Sequence, residues 1–120
     1  MDSNSIEKNS LIMYIIENSS LTKRQIQIIY NINSKQKKPL HITSGAFYRE
    51  KRQCKNKIKK IYFSIILLIL MDILKDEHIN TLTSIANKIL QLQNNYSKHH
   101  DNSIKPVINI IEELLNKMLL

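Results

Sequence analysis

Between Thr43 and Leu74 the sequence contains no proline, and its single glycine, Gly45, sits at the very start. The chemistry nevertheless changes halfway along. The first half, TSGAFYREKRQCKNKIKK, is heavily basic, and the second, IYFSIILLILMDIL, is almost wholly apolar. Such a stretch predicts one long helix, roughly 45 Å at 1.5 Å per residue. Thr43 or Ser44 is placed to cap it, because a side-chain oxygen there can accept from the free N–H groups of the first turn.

Stepping at 100° per residue sorts the first half into two faces. Phe47, Cys54, Ile58, Ile61 and Ile65 share one side. Gly45, Tyr48, Arg49, Arg52, Asn56 and Lys59 share the other, flanked by Lys51, Lys55 and Lys60. A greasy stripe opposite a stripe of Tyr, Arg, Asn and Lys suits a helix that reads DNA. Arg and Asn can each make two hydrogen bonds to a base edge, while Lys supplies charge for phosphates. The plainer alternative is an amphipathic helix whose charges only solvate its outer face.

Charge distribution favours the first of these. The chain carries a formal net charge of +8. Between Leu21 and Lys60 stand twelve Lys and Arg against one acid, Glu50, a net +11; the remaining six cations face nine acids, a net −3. Richness in Ile, Asn and Lys raises the Lys content everywhere but does not gather cations into one third of the chain. The clustering points to a polyanion.

Several function classes are set aside on the same grounds. With one Gly in the chain, no glycine-rich phosphate loop can form. His99 and His100 are adjacent, so their side chains diverge, and Asp101 alone does not complete a metal site; His41 and His78 are isolated. Glu112 and Glu113 are expected to solvate the last helix. There is no nucleophile elbow and no paired carboxylate in an apolar setting. No enzyme activity, metal, cofactor or small-molecule ligand is therefore expected. Cys54, the only cysteine, cannot form an internal disulfide and is expected as a small core residue. The opening MDSNSIEKNS lacks the layout of a signal peptide. The run Ile61–Met71 is shorter than the roughly 17–25 residues that span a bilayer. A cytoplasmic, nucleoid-associated protein is the expectation.

The rest of the chain is punctuated as helices. Ser5 to Asn18 forms a first, closed by Asn18-Ser19-Ser20. Thr22-Lys23-Arg24-Gln25 has the form of a capping box, with Leu21 and Ile26 as a hydrophobic staple. The helix it opens, with Ile26, Ile28, Ile29 and Ile32 inward, ends near Asn31 or Asn33. Asn33–His41 is polar and contains Pro39, which predicts a loop, with room for a short strand at Leu40–Ile42. After the central helix, Lys75–His78 is expected as a break and Asn80 or Thr81 as the cap of a helix carrying Leu82, Ile85, Ile89 and Leu92. A loop at Lys98–Ser103 precedes a last helix from about Lys105 to Leu119, with Pro106 in its first turn.

Leu21-Thr22-Lys23-Arg24-Gln25 followed by Thr43-Ser44-Gly45-Ala46-Phe47-Tyr48-Arg49 resembles the helix-turn-helix domains of small prokaryotic regulators, in a style shared with sigma-factor region 4. The resemblance covers roughly Leu21–Lys60. It implies that the helix after Leu21-Thr22 supports the fold and that the one opening at Ser44 enters the major groove. The connection Asn33–His41 is longer than the usual 3–4-residue turn, which leaves room for a winged variant.

The expected protein is thus all-α, with a helix-turn-helix part over 1–60 and a helical core and dimerisation part over 61–120, together one compact unit. Its expected function is sequence-specific recognition of double-stranded DNA by a homodimeric transcriptional regulator. Ser44, Tyr48, Arg49, Arg52 and Asn56 would read bases. Lys23, Arg24, Lys35, Lys37, Lys38, Lys51, Lys55 and Lys59 would hold phosphates. Ile65, Leu68, Ile69, Ile111, Leu114, Leu115 and Met118 would form the self-association surface. The alternatives are a non-specific nucleic-acid coat of chromatin or virion type, a helical protein-interaction module with an acidic partner, and a membrane-surface role for the basic-then-apolar helix.

Overall fold

The computed structural model describes residues 10–33, 42–94 and 104–120. Among these the chain forms five α-helices and no strand: α1 (Ser10–Glu17), α2 (Lys23–Asn33), α3 (Ser44–Leu70), α4 (Asp76–Asn94) and α5 (Ile104–Met118). The fold class is all-α, as the helical periodicity predicts. The chain divides into two compact units, one containing Ile12–Ser64 and the other Ile65–Leu120. The start of the first helix at Ser5 and the loops at Ser34–His41 and Lys98–Ser103 lie outside the described residues. So do Leu40 and His41 of the suggested strand, while Ile42 is a bend.

In the first unit the helix ends are made by the side chains that the sequence offers for them. Asn18 Nδ2 donates to the Tyr14 carbonyl (2.9 Å) and Ser19 Oγ to the Ile16 carbonyl (2.8 Å), closing α1. At α2 the capping box is complete. Gln25 N–H donates to Thr22 Oγ1 (3.1 Å) and Thr22 N–H to Gln25 Oε1 (2.9 Å), which satisfies two otherwise orphaned donors. Thr43, not Ser44, caps α3, accepting from Ala46 N–H at 3.1 Å. The two most enclosed side chains among the described residues are Ile28 of α2, at 1% exposure, and Cys54 of α3, at 2%. Burying an isoleucine this completely stabilises by about 1.5–3 kcal/mol.

In the second unit two boundaries differ from the expectation. The central helix stops at Leu70, not Leu74. Asp72 adopts the left-handed conformation (φ 60°), Asp72 N–H donates to the Ile69 carbonyl (3.0 Å) and Ile73 N–H to the Leu68 carbonyl (2.9 Å). That is the Schellman pattern of a helix C-terminus, with aspartate in the place usually taken by glycine. The break therefore comes at Met71–Leu74, and Lys75–His78, expected as a break, instead begins α4. Lys75 is the cap. Its N–H donates to His78 Nδ1 (3.2 Å), and Asp76 and Glu77 place negative charge in the first turn, where the helix dipole favours it. Thr81, expected as a cap, lies inside the helix and donates to the Glu77 carbonyl four residues back (3.0 Å). Ile89 of α4 and Ile104 and Ile111 of α5 are buried and form the core of this unit.

Because a non-glycine residue pays for the left-handed conformation at Asp72, Asp72→Gly is expected to stabilise the chain by about 0.5–1 kcal/mol. A β-branched residue there, Asp72→Val, is expected to destabilise by at least as much. Urea unfolding followed by far-ultraviolet circular dichroism measures both.

Candidate nucleic-acid interface

The orientation of α3 about its own axis follows from where its single acid goes. Glu50 accepts from Arg24 of α2 through both guanidinium edges, Nη2 to Oε2 at 2.9 Å and Nε to Oε1 at 3.2 Å. One turn further along α3, Cys54 Sγ lies 3.8 Å from the Gln25 carbonyl of α2. Glu50 and Cys54 thus define the inner side of α3, with Phe47, Lys51, Lys57 and Ile58 half-buried beside them. Burial pushes the Cys54 thiol above its usual pKa, the Glu50 carboxylate adds to the shift, and Arg24 partly opposes it.

The expected base-reading residues stand on the other side. Ser44, Tyr48, Arg49, Arg52 and Asn56 are all exposed, Tyr48 by 64%. Lys55 and Lys59 are exposed on the same helix. The Arg52 guanidinium lies over the Tyr48 ring, 5.3 Å from its centroid, one helical turn away. Stacking of this kind fixes the plane of the guanidinium while leaving its N–H edges available. No carboxylate lies between Leu21 and Lys60 except Glu50, and Arg24 engages it. The outward stripe of α3 is therefore cationic, built from side chains suited to base edges and phosphates.

Two of the expected phosphate residues have partners within the chain. Arg24 is held in the bidentate pair with Glu50, so it is a residue that joins α2 to α3. Lys51 is half-buried, its Nζ 5.5 Å from the Phe47 ring centroid, which draws it away from the outward stripe. Lys23 is exposed in the first turn of α2. Lys35, Lys37 and Lys38 lie outside the described residues. The Arg24–Glu50 pair went unread in the sequence, although a lone acid among twelve cations was a signal that it would be claimed.

Of the residues expected at a self-association surface, Ile65, Leu68 and Ile69 are exposed on the last turns of α3. Leu114, Leu115 and Met118 of α5 are half-buried. Ile111 is buried, on the side of α5 shared with Ile104, and with Ile89 it lies along the cleft between α4 and α5, so little of its own surface is left for a partner. Toward the end of α3 the most exposed apolar side chains are others: Tyr62, Phe63, Leu67 and Leu70. No helix among the described residues is long and apolar enough to cross a membrane. His78 is engaged at the α4 cap, and His41, His99 and His100 lie outside the described residues.

Compared with protein families, with curated proteins and with solved structures, the chain gives no match.

Two outcomes follow from this geometry. A double-mutant cycle with Arg24→Ala and Glu50→Ala, read by urea unfolding, is expected to give a coupling of about 1 kcal/mol, the upper end for a half-exposed pair because the contact is bidentate. Cys54 in the folded chain is expected to react with a disulfide reagent at pH 8 at least about 100-fold more slowly than in urea, because the reactive thiolate is both buried and disfavoured.

Proposed function

We propose that this chain is a sequence-specific DNA-binding protein of the transcription-regulator type, with α3 as the helix that enters the major groove. The observation that carries the proposal is the separation of faces on α3. Glu50 and Cys54 turn toward α2, and the opposite stripe offers Tyr48, Arg49, Arg52, Asn56 and Lys59 to solvent. The resemblance of Leu21–Lys60 to helix-turn-helix domains, in which one helix is braced by another and reads the groove, supports the same assignment.

In this mechanism Arg49 and Arg52 donate in pairs to guanine O6 and N7, and Asn56 donates to and accepts from adenine. The Tyr48 ring holds the Arg52 plane before DNA arrives, which reduces the side-chain ordering that binding would otherwise cost. Lys55, Lys59 and Lys23 hold phosphates and fix the register. Arg24 acts on DNA only through α3, by bracing it. The excess of Lys on this surface also favours a second reading, a protein that coats nucleic acid without regard to sequence. The two differ in response to competitor, since only a sequence reader keeps a preferred site under excess non-specific duplex.

Selection of binding sites from random duplexes by the purified protein tests the proposal. A recovered consensus is the expected result; recovery of unrelated sequences gives the assignment to the coating reading. On a selected site, Arg49→Ala is expected to weaken binding by about 1–3 kcal/mol and to relax one base position. Lys59→Ala is expected to weaken all duplexes alike. With some four to six phosphate contacts, log K should fall against log salt with a slope on the order of −4 to −5. Unchanged binding in the Arg49→Ala, Arg52→Ala double variant would remove α3 from the interface.

A further inference from the structure

Two apolar surfaces stand uncovered among the described residues. One is the end of α3. Nine side chains between Tyr62 and Met71 are each more than a third exposed. Taking roughly 150–200 Å² for a fully exposed large apolar side chain, they present on the order of 800 Å². The largest apolar patch of a typical monomer is about 300–600 Å², whereas each partner in a stable association contributes about 800 Å². The exposure is also graded around the helix. Ile65 and Leu68 are the most covered, at 36% and 38%, while Leu67 and Leu70 reach 56% and 77%. Phe63, Ile66, Leu67 and Leu70 fall at i, i+3, i+4 and i+7, the anchor spacing of a helix laid into a groove.

The other surface is such a groove. Between α4 and α5 lies an open cleft of about 540 Å³, lined by Ile85, Ile89 and Leu92 from one helix and Val107, Ile110 and Leu114 from the other. Ile110 is 56% exposed within it.

We infer that the occupant of this groove is the end of α3 from a second copy of the chain, exchanged reciprocally so that each protomer inserts its Phe63–Leu70 stripe between the partner's α4 and α5. Three observations select this occupant. Among the described residues the groove stands open and the stripe stays exposed, so each surface has room for a partner. Reciprocal exchange covers both at once, whereas pairing stripe on stripe covers only one side of a segment that is apolar all round and leaves Ile110 in water. A lipid surface fits less well, because a helix lying in a bilayer interface needs a polar face opposite its apolar one. Between Ile61 and Leu70 the only residue without a large apolar side chain is Ser64, whose hydroxyl donates to the Lys60 carbonyl. The exchange closes with two-fold symmetry and does not propagate into a filament.

This inference concerns self-association and stands independently of DNA reading. It is tested without DNA, on the full chain. Light scattering after size exclusion is expected to give twice the chain mass at micromolar concentration. Leu67→Glu and Ile110→Glu are each expected to raise the dimer dissociation constant by roughly tenfold or more, with helicity kept by circular dichroism; Leu67→Met is expected to remain dimeric. A tagged Leu67→Cys chain mixed with an untagged Ile110→Cys chain is expected to form a disulfide-linked mixed dimer on mild oxidation, and neither variant to cross-link with itself. A monomeric wild-type chain overturns the inference. So does efficient self-cross-linking of Leu67→Cys, which would mean stripe-on-stripe pairing. So too does sedimentation with phosphatidylglycerol vesicles that Leu67→Glu abolishes, which would mean a lipid surface. Arg49→Ala is expected to leave the dimer intact, so failure of DNA recognition and failure of the exchange give different results.

Discussion

Where Glu50 puts its charge determines what α3 can present to anything else. In a segment of twelve cations Glu50 is the one carboxylate, and Arg24 takes it with both edges of its guanidinium. Cys54, four residues on, then lies against the Gln25 carbonyl of α2, and it and Ile28 are both removed from water. Each residue of a helix is turned by 100° from the last. Rotating α3 by one residue would bring Lys51 and Lys55, or Arg49, to the enclosed side, and burying an unpaired cation costs several kcal/mol. The ion pair itself is worth about 1 kcal/mol at this exposure. Its larger effect is selective: it agrees with the burial of Cys54 on a single orientation, and that orientation leaves Tyr48, Arg49, Arg52 and Asn56 outward.

Much of this was legible in the sequence. Thr22 and Gln25 sit at the spacing of a reciprocal cap, and Asn18-Ser19 supplies the side chains that take up the last carbonyls of α1. Cys54 and Phe47 fall on the greasy side of α3 by simple angular counting, and the exposed class of each expected base-reading residue follows from the same count. These signals are local. Each depends on residues within one or two turns of each other, where backbone geometry fixes which groups can meet.

What was not legible depended on context beyond that range. The end of α3 turns on a non-glycine residue in the left-handed conformation, which Asp tolerates but does not announce. Lys75-Asp76-Glu77-His78 has the polarity of a loop, yet acids in a first turn and a side chain that can reach back to the cap are also what a helix start requires. Polarity alone cannot separate the two. Local spacing puts Arg24 among the phosphate-binding cations, because its partner Glu50 lies twenty-six residues away, on another helix.

The apolar end of α3 shows a different reason for failure. Angular periodicity assigns a buried face only where apolar and polar residues alternate around the helix. From Ile61 to Leu70 nearly every direction is apolar, so the pattern carries no phase, and Ile65, Leu68 and Ile69 were as reasonable a surface as any other. Packing supplies the missing phase: it covers Ile65 and Leu68 most and leaves Phe63, Leu67 and Leu70 out. A segment apolar on every side requires neighbours on every side, and among the described residues much of it stays exposed. The same helix bears the outward cationic stripe. Association through its apolar end would therefore bring two copies of that stripe into one assembly, and a two-fold protein is matched on DNA by half-sites of two-fold symmetry. On the proposed reading, the lack of a polar face over these turns and the presence of one earlier in α3 would serve a single arrangement, in which the apolar end gathers the copies whose charged stripes meet the duplex.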